Sequence, residues 1–313
     1  MTDSSVVMRS GTVALIGRPN AGKSTLMNRW LGQKLAIVSD KPQTTRHRIV
    51  GLLSDERGQM VFFDTPGIHK PLHHLNRQMV RHAVQAMTDA DVVCLLTDAA
   101  VKFGSGDAYM LDLVAKIEAP CVLALNKVDR VAKPALLPLL QRYGEANVFE
   151  ELVPTSAANG EGCDALLELL WRRLPEGPPL YDTELLTTQP ERYHVAERIR
   201  EQVLLQTRDE LPFTTAVVID RWEEEERRGE GDEGRIVLYA SILVESPGQK
   251  KILIGRAGAR IREIGTRARH DLQRFLGRRI HLELLVRLEP RWRENRRLLA
   301  DLERDLEGDL SGR

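Results

Sequence analysis

Short apolar runs alternate with amphipathic stretches along the first half of the chain. Six runs have the length and composition of β-strands, at residues 12–16, 48–54, 60–64, 91–96, 121–126 and 152–155. The stretches between them carry apolar side chains at helical spacing, at residues 23–31, 107–117, 135–143 and 164–174. Residues 122–125 are all apolar, which is typical of a strand covered on both faces. The alternation predicts an α/β unit with a mostly parallel sheet.

The second half has a different order of elements. Its pattern predicts a helix, two strands, two helices and a strand, at residues 193–210, 214–222, 235–245, 259–264, 267–276 and 279–288. An apolar run at 251–254 and a Gly-x-x-Gly step precede the two consecutive helices. Residues 291–306 carry the charge pairs of a last helix. This order predicts a small α+β unit.

A proline-rich break separates the two halves, with prolines at positions 175, 178, 179 and 190. A chain of 313 residues is also long enough for two folded units. We therefore divide it into five parts: an N-terminal extension (1–10), the α/β unit (11–175), a linker (176–190), the α+β unit (191–290), and a C-terminal helix with an acidic tail (291–313).

Composition excludes several classes of protein. The three cysteines are far apart and form no Cys-x-x-Cys pair, which excludes a disulfide scaffold and a zinc framework. No apolar run reaches the roughly 18 residues of a membrane span. Residues 1–10 lack the layout of a secretion signal. We expect a cytoplasmic protein.

Charge is balanced overall but not along the chain. The sequence has 45 basic and 45 acidic residues, yet residues 250–297 hold 15 basic and 5 acidic ones. Residues 220–233 hold 8 acidic and 3 basic residues, and the tail 298–313 is also acidic. The dense basic block predicts a polyanionic partner.

One glycine-containing motif lies between the first strand and the first helix. It matches the P-loop pattern GxxxxGK[ST], and the segment consists of Gly17, Arg18, Pro19, Asn20, Ala21, Gly22, Lys23, Ser24 and Thr25. Its backbone N–H groups and the start of the helix can surround phosphates. We expect Lys23 to reach the β- and γ-phosphates and the Ser24 hydroxyl to bind Mg²⁺.

Two further segments fit a γ-phosphate sensor. The third strand ends at Asp64 and is followed by Thr65, Pro66, Gly67 and Ile68. A carboxylate there can hold the Mg²⁺ shell, and the Gly67 N–H can contact the γ-phosphate. Thr44 and Thr45 lie in the preceding loop, where a hydroxyl can also bind Mg²⁺. We favour Thr45, although spacing does not choose between the two.

The last two predicted strands of the α/β unit are followed by residues that can recognise a base. The fifth strand leads into Asn126, Lys127, Val128 and Asp129, and the sixth into Ser156 and Ala157. The Asp129 carboxylate can accept hydrogen bonds from guanine N1–H and its N2 amine, a donor pair that adenine lacks. The Lys127 stem can stack on the base, Asn126 can tie this loop to the P-loop, and the Ser156–Ala157 backbone can complete the pocket.

These motifs, in this order, resemble the translation-factor-type GTPases. Ile68 stands where Ras-like proteins carry a catalytic Gln, so slow hydrolysis without that Gln is implied. Some relatives of this kind hold a monovalent cation through an Asn at the position of Asn20. We hypothesise modest K⁺ stimulation; the alternative is that Asn20 only shapes the loop.

The basic half carries a candidate RNA clamp. Two glycines let a ribose–phosphate backbone approach closely, and arginines and isoleucines flank them, in the set Ile254, Gly255, Arg256, Ala257, Gly258, Arg260, Ile261 and Arg262. With its element order, this half resembles the type II KH domain, which binds about four nucleotides of a single strand.

The two halves together resemble the Era family of bacterial GTPases over nearly the whole chain. The resemblance implies GTP and GDP binding, hydrolysis of GTP to GDP and phosphate, and binding of 16S rRNA near its 3′ end. It also implies a role in 16S rRNA processing and assembly of the small (30S) ribosomal subunit, with peripheral attachment to the inner membrane. We expect a monomer in which GTP and Mg²⁺ switch the grip on RNA.

Two alternatives remain at this stage. In one, the protein is a membrane-associated signalling GTPase whose basic block binds anionic lipid. A lipid surface, however, needs charge and no glycine clamp. In the other, it is an RNA-binding structural protein whose nucleotide site only stabilises the fold. A structural site would not need Ser24, Thr45 and Asp64 as Mg²⁺ ligands.

Overall fold

The chain folds into two compact units, Met1–Thr188 and Gln189–Arg313. The computed structural model describes residues 8–41, 44–68, 74–207, 211–225, 234–295, 297–299 and 302. Most of the predicted N-terminal extension, of the acidic stretch 220–233 and of the acidic tail lies outside the described residues. Of the predicted last helix (291–306), Trp292–Glu294 form a 3-10 turn and residues 297–299 are helical.

A six-stranded sheet forms the centre of the first unit. Its strands are β1 (Arg9–Gly17), β2 (Ile49–Asp55), β3 (Gly58–Asp64), β4 (Val92–Asp98), β5 (Cys121–Asn126) and β6 (Glu151–Pro154). The order across the sheet is β2-β3-β1-β4-β5-β6, and only the β2–β3 pair is antiparallel. The mostly parallel α/β sheet is therefore confirmed, with each strand close to its predicted position.

Helices cover the sheet, at α1 (Lys23–Leu31), α2 (His74–Thr88), α3 (Ser105–Val114), α4 (Leu136–Gly144) and α5 (Cys163–Arg173). Helix α2 was not predicted. Its described buried face consists of Met79, Ala83, Ala86 and Met87. Alanine contributes little hydrophobic contrast, which leaves the helical period weak in the sequence.

The three cysteines lie in the interior of the first unit. Cys94, Cys121 and Cys163 are buried and form no disulfide. Burial raises the pKa of the Cys121 thiol to about 11 and also raises the pKa values of Cys94 and Cys163. All three therefore stay protonated and pack as small apolar groups.

The second unit pairs helices with a three-stranded sheet. Its elements are α6 (Glu191–Gln206), the short α7 (Leu211–Thr214), β7 (Ala216–Glu225), β8 (Arg235–Val244), α8 (Pro247–Ile254), α9 (Ala259–Leu276) and β9 (Arg279–Leu288). Strand β8 is central, antiparallel to β7 and parallel to β9. Residues of α6, α8 and α9 share one hydrophobic core with the strands.

The two consecutive helices differ from the prediction. Residues 259–264 and 267–276 belong to one helix, α9, and the run 251–254 is the end of α8. Gly265 does not interrupt α9; a Cβ built there would lie 3.5 Å from Leu284 of β9, so the glycine faces the sheet. Helix α8 begins at Pro247, and the side chain of Ser246, the residue before it, accepts the Gln249 N–H. Apart from the short α7, which was not predicted, the order of element types is the predicted one.

Within the described part of the chain, no helix combines the length and apolar composition that crossing a bilayer requires.

Candidate nucleotide site and RNA-binding surface

The P-loop is a tight turn between β1 and α1. Gly17 and Gly22 have φ angles of 150° and 103°, and Asn20 has a φ of 62°. A Cβ at Gly17 would lie 2.3 Å from the Leu96 carbonyl oxygen, so only glycine fits against β4 there. The buried Lys23 ammonium donates to the carbonyls of Gly17 and Arg18, at 3.4 and 3.2 Å. The free N–H groups at the start of helix α1 and the Lys23 side chain therefore lie at the mouth of the loop.

Three side-chain oxygens from three different segments meet beside this loop. The Ser24 hydroxyl donates to Asp64 Oδ2 at 2.6 Å, and its oxygen lies 3.0 Å from Thr45 Oγ1. Thr45 Oγ1 is also 3.4 Å from Asp64 Oδ2. Asp64 Oδ1 is buried and has no hydrogen-bond partner among the described residues. A carboxylate with a free oxygen and two hydroxyls suit a hard cation such as Mg²⁺.

Thr44 has a different environment from Thr45. Its hydroxyl donates to the Lys41 carbonyl at 2.6 Å, which holds the turn of its own loop. Thr45, the threonine that we favour, is buried and lies beside Ser24 and Asp64.

Burial shifts the pKa values of the two charged groups at this site in opposite directions. Desolvation raises the pKa of Asp64 to about 6, although Lys23, Ser24 and Thr45 oppose the shift. Desolvation lowers the pKa of Lys23 to about 8, although Asp64 opposes that shift. Each charge is costly to bury, so the site favours a cation at Asp64 and an anion at Lys23.

The segment after Asp64 is fastened to the P-loop and to β1. The Thr65 hydroxyl donates to the Leu15 carbonyl at 2.8 Å, and the Ile68 N–H donates to the Gly17 carbonyl at 3.0 Å. A Cβ at Gly67 would lie 2.6 Å from Pro19 Cα, so a side chain there would displace the P-loop. The Ile68 side chain is buried in the core beside Ala14 and Met87. Residue 68 therefore offers no group that can orient a water molecule.

The base loops are joined to the phosphate loop through Asn126. Its Nδ2 donates to the Ala21 carbonyl at 2.7 Å, and its Oδ1 accepts the Ala157 N–H at 2.9 Å. The Ser156 hydroxyl donates to Asp129 Oδ1 at 2.5 Å, which fixes the orientation of that carboxylate. Val128, between them, is buried and its N–H donates to the Thr155 carbonyl.

Two charged side chains that the sequence analysis missed hold these loops. Asp98 Oδ2, at the end of β4, lies 2.6 Å from Lys127 Nζ. Arg29 donates to the carbonyls of Ala157 and Ala158, at 2.8 and 2.7 Å. The available signal for Asp98 was its position: it ends a strand at the same sheet edge as Asn126. Arg29 gave none, because its partners are main-chain groups far along the chain.

One cleft of about 580 Å³ is lined by residues 18–25 of the P-loop, residues 37–40, Thr44, Thr45, Gly67, Asp98 and Lys127. Asp64, Asp129 and Ser156 are not among its lining residues. Asn20 Nδ2 donates to the Asp40 carbonyl at 2.6 Å, across the mouth of the P-loop. The amide of Asn20 thus lies next to a backbone oxygen of the loop that carries Thr45. This cleft is large enough for a nucleotide and charged as one requires.

The Gly-x-x-Gly step connects α8 to α9. Gly255, Ala257 and Gly258 have φ angles of 73°, 48° and 75°. A Cβ at Gly255 would lie 2.8 Å from Arg260 Cβ, whereas a Cβ at Gly258 would meet no atom within 4 Å. The outer side of Gly258 is therefore open to a close backbone approach, as a ribose–phosphate chain needs.

Charged and apolar side chains flank this step. Arg256 and Arg262 are exposed, and Arg260 donates to the Ile252 carbonyl at 2.9 Å. Ile254 and Ile261 are partly buried and pack against the core, which leaves part of each at the surface. The predicted RNA-binding residues therefore lie together around the α8–α9 junction.

Two protein-family models match the chain, one in each of its two units. Residues 12–127 match a family described as 50S ribosome-binding GTPase, and residues 215–293 match the KH domain family. A GTPase unit followed by a KH unit defines a GTP-hydrolysing, RNA-binding protein.

Similar proteins cover both units. The GTPase Era of Syntrophus aciditrophicus is 44% identical over 297 residues, 95% of each chain, and that of Geobacter metallireducens is 45% identical over 94% of this chain and 97% of the other. The chain belongs to the Era family of GTPases.

Two solved Era structures share the whole architecture. Each has a TM-score of 0.88 and 35% identity, over 94% of this chain and 98% of the other. One is Era in complex with MgGDPNP and nucleotides 1506–1542 of 16S ribosomal RNA. The other is a variant of Aquifex aeolicus Era bound to GDP·AlF4⁻.

Proposed function

We propose that this protein binds Mg²⁺ and GTP in the cleft of the first unit and the 3′ region of 16S rRNA at the Gly-x-x-Gly step. In this role it acts as a nucleotide-switched factor in 16S rRNA processing and 30S subunit assembly. The observation that carries the proposal is the meeting of Ser24, Thr45 and Asp64 beside the P-loop lysine. Its support from relatives is the Era complex with MgGDPNP and a 16S rRNA fragment.

The phosphate chain would lie along the P-loop. Backbone N–H groups of the P-loop residues other than Pro19 would surround it, and Lys23 would leave its carbonyl partners to bind the β- and γ-phosphates. Ser24, Thr45 and Asp64 would hold Mg²⁺, which neutralises phosphate charge. Thr65 and Pro66 position Gly67, whose N–H contacts the γ-phosphate.

The guanine base would lie between the loops after β5 and β6. Asp129, oriented by Ser156, accepts the N1–H and N2 amine of the base. Lys127 covers one face of the ring with its stem, and Asp98 holds the ammonium group. Asn126 keeps base loop and phosphate loop at a fixed distance through its bond to Ala21.

Hydrolysis would proceed without a side chain from position 68. Ile68 is buried in the core, so the attacking water must be oriented by other groups. We place a K⁺ site at Asn20, whose amide already contacts the Asp40 carbonyl. A cation there would add positive charge beside the phosphates, where negative charge develops.

RNA would bind along α8 and α9. The backbone of a single strand approaches Gly258 and Ala257, while Arg256, Arg260 and Arg262 supply salt-dependent attraction. Ile254 and Ile261 offer apolar surface to the bases. The domain assignment follows: a GTPase domain at 11–175, a linker at 176–190, a KH domain at 191–290, and flanking segments at 1–10 and 291–313.

Nucleotide and RNA would be coupled. GTP orders the segments that carry Thr45 and Gly67, and this ordering favours the RNA-binding state of the protein. By linkage, RNA favours the GTP state to the same extent. We place the protein in the cytoplasm as a monomer, with peripheral contact at the inner membrane.

Steady-state GTP turnover tests the proposal. Purified protein is measured in Mg²⁺ and KCl, with and without single-stranded RNA from the 3′ end of small-subunit rRNA. We expect the RNA to bind and to change turnover. Equal RNA affinity with GDP and with a non-hydrolysable GTP analogue would contradict the coupling, and RNA binding with unchanged turnover would mean that RNA does not act on hydrolysis. Binding to anionic vesicles without binding to RNA would support the membrane alternative.

A further inference from the structure

The segment that leads out of the first unit crosses three neighbouring strands of its sheet. The Ser10 N–H of β1 donates to the Pro175 carbonyl at 3.0 Å, and Arg9 pairs with Glu176. The segment then passes β3 and reaches β2, where the Leu52 N–H donates to the Leu186 carbonyl at 2.9 Å. We call residues 175–186 the crossing segment.

One side chain of β3 binds the middle of the crossing segment. Gln59 Oε1 accepts the N–H groups of Leu180 and Tyr181, at 2.9 and 2.8 Å. Gln59 Nε2 donates to the Tyr181 carbonyl and to the Ser54 hydroxyl, both at 3.0 Å. Both the oxygen and the nitrogen of the Gln59 amide are hydrogen-bonded. Because Gln59 is fully buried, water cannot replace a partner that is lost.

The large apolar side chains of the crossing segment contribute little to holding it in place. Leu180, Tyr181, Leu185 and Leu186 are among the exposed large hydrophobic residues of the protein. Main-chain hydrogen bonds therefore fix its register, and Gln59 makes three of those described here. Hydrogen bonds to Met8, Ser10 and Leu52 hold the two ends of the segment, and Gln59 is the anchor of its middle.

The anchor lies on strands that join the proposed nucleotide sensors. Strand β2 begins at Ile49, four residues after Thr45, and β3 ends at Asp64, five residues after Gln59. The β2–β3 pair is continuous from Ile49↔Asp64 to Asp55↔Gly58. A shift of this pair would move Gln59 and Leu52 together, and with them the crossing segment.

We propose that Gln59 is the positioning residue that transmits the nucleotide state of the first unit to the chain entering the second unit. The inference rests on the proposed coupling between GTP and RNA. When the segments carrying Thr45 and Gly67 become ordered around GTP, the β2–β3 pair takes one position, and Gln59 imposes it on residues 180–186. Gln59 is fully buried and does not line the nucleotide cleft, so it would act through the segment alone.

The test compares RNA affinity in two nucleotide states. The dissociation constant of the full-length protein for the single-stranded rRNA fragment is measured with GDP and with a non-hydrolysable GTP analogue. Coupling of ordinary size gives a ratio of roughly five-fold or more for the wild type. We expect Gln59→Leu to bring that ratio to nearly one, with GTP affinity unchanged.

A matched variant separates this role from a structural one. Ser54→Ala removes one hydrogen bond of Gln59 Nε2 and leaves the three bonds to Leu180 and Tyr181 intact, so it should keep the wild-type ratio. Hydrogen exchange gives the second readout. The Leu180 and Tyr181 amides should exchange faster in Gln59→Leu and at the wild-type rate in Ser54→Ala.

A further variant tests the same inference if Gln59→Leu does not fold. A four-residue Gly-Ser insertion between Thr187 and Thr188 leaves the anchor intact but frees the chain beyond it, and it should also abolish the ratio. An unchanged ratio in a folded Gln59→Leu protein, or in the insertion variant, would overturn the inference. A wild type with equal affinities in both states would instead refute the proposed coupling, and the inference with it.

Discussion

Asp98 and Lys127 form an ion pair in the nucleotide cleft, with Asp98 Oδ2 2.6 Å from Lys127 Nζ. Strands β4 and β5 create it, because Asp98 lies opposite Asn126 in the parallel register and Lys127 follows. Lys127 has a φ of 65°, and the Ala100 N–H holds the other oxygen of Asp98 at 2.9 Å. The pair therefore fixes the position of a lysine that lines the cleft.

Asp98→Asn should weaken nucleotide binding without slowing the chemical step. The lysine loses its counter-ion and its orientation, so GTP and GDP should both dissociate roughly tenfold faster, a loss of ~1.4 kcal/mol. Stopped-flow measurement with a fluorescent nucleotide gives the rates. Asp112→Asn, at an exposed position of α3, is the charge-matched control, and a fall in kcat at saturating GTP would argue against a purely positioning role.

Asp129→Asn should change the base preference. The carboxylate accepts two donors of guanine, and an amide in its place leaves one of them facing an N–H group. Loss of two charge-assisted hydrogen bonds should reduce GTP affinity by about 1,000-fold. Xanthosine triphosphate, which has a carbonyl where guanine has its amine, should bind the variant better than GTP does. Competition binding measures both, and an unaltered preference for guanine would refute the assignment.

The two adjacent threonines should differ sharply. Thr45→Ala removes an oxygen from the proposed Mg²⁺ site and should raise the Mg²⁺ concentration needed for half-maximal turnover by roughly tenfold. Thr44→Ala removes a hydroxyl that donates to the Lys41 carbonyl, away from Ser24 and Asp64, and should leave this requirement within about twofold of the wild type. A magnesium titration of turnover compares them. Equal effects would mean that Thr45 is not a ligand.

Potassium should accelerate hydrolysis through Asn20. We expect turnover in KCl to exceed turnover in NaCl at the same ionic strength. Asn20→Gly keeps the positive φ of 62° accessible and removes the amide, so its turnover should be the same in both salts. Equal turnover of the wild type in the two salts would eliminate the K⁺ site.

Ala257→Asp should abolish RNA binding and spare the GTPase. Ala257 is exposed with a left-handed backbone, which aspartate tolerates, and the new charge would repel phosphate at the Gly-x-x-Gly step. RNA affinity should fall more than about tenfold, with turnover in the absence of RNA unchanged. Ala135→Asp, at an exposed site of the first unit, is the control. Equal loss in both variants would point to general charge repulsion.

Local patterns in the sequence predicted the strands and the motifs. Each P-loop or base-loop motif is a short run of residues at a strand end, so its spacing is visible without the fold. Helix α2 was missed because alanines occupy much of its buried face, and α9 was divided at Gly265, although that glycine faces β9. Glycine near the middle of a helix is a weak guide when the helix packs against a sheet.

Contacts between a side chain and main-chain groups far along the chain could not be predicted from the sequence. Gln59 binds residues more than 120 positions away, and Arg29 binds two carbonyls of a distant loop. Nothing in the type or spacing of these residues identifies such partners, because every residue offers the same backbone groups. The predicted linker begins at residue 176, yet the first unit extends to Thr188.

The burial of Ile68 has a consequence for timing. With no side chain from that position to orient water, unassisted hydrolysis should run on the order of 10⁻⁴–10⁻² s⁻¹, as in GTPases that lack an activator. A bound GTP would then persist for minutes to hours. Because the proposed coupling ties RNA binding to GTP, the time that the protein stays on RNA would be determined by whatever accelerates hydrolysis. A complex without that acceleration would keep both its GTP and its RNA.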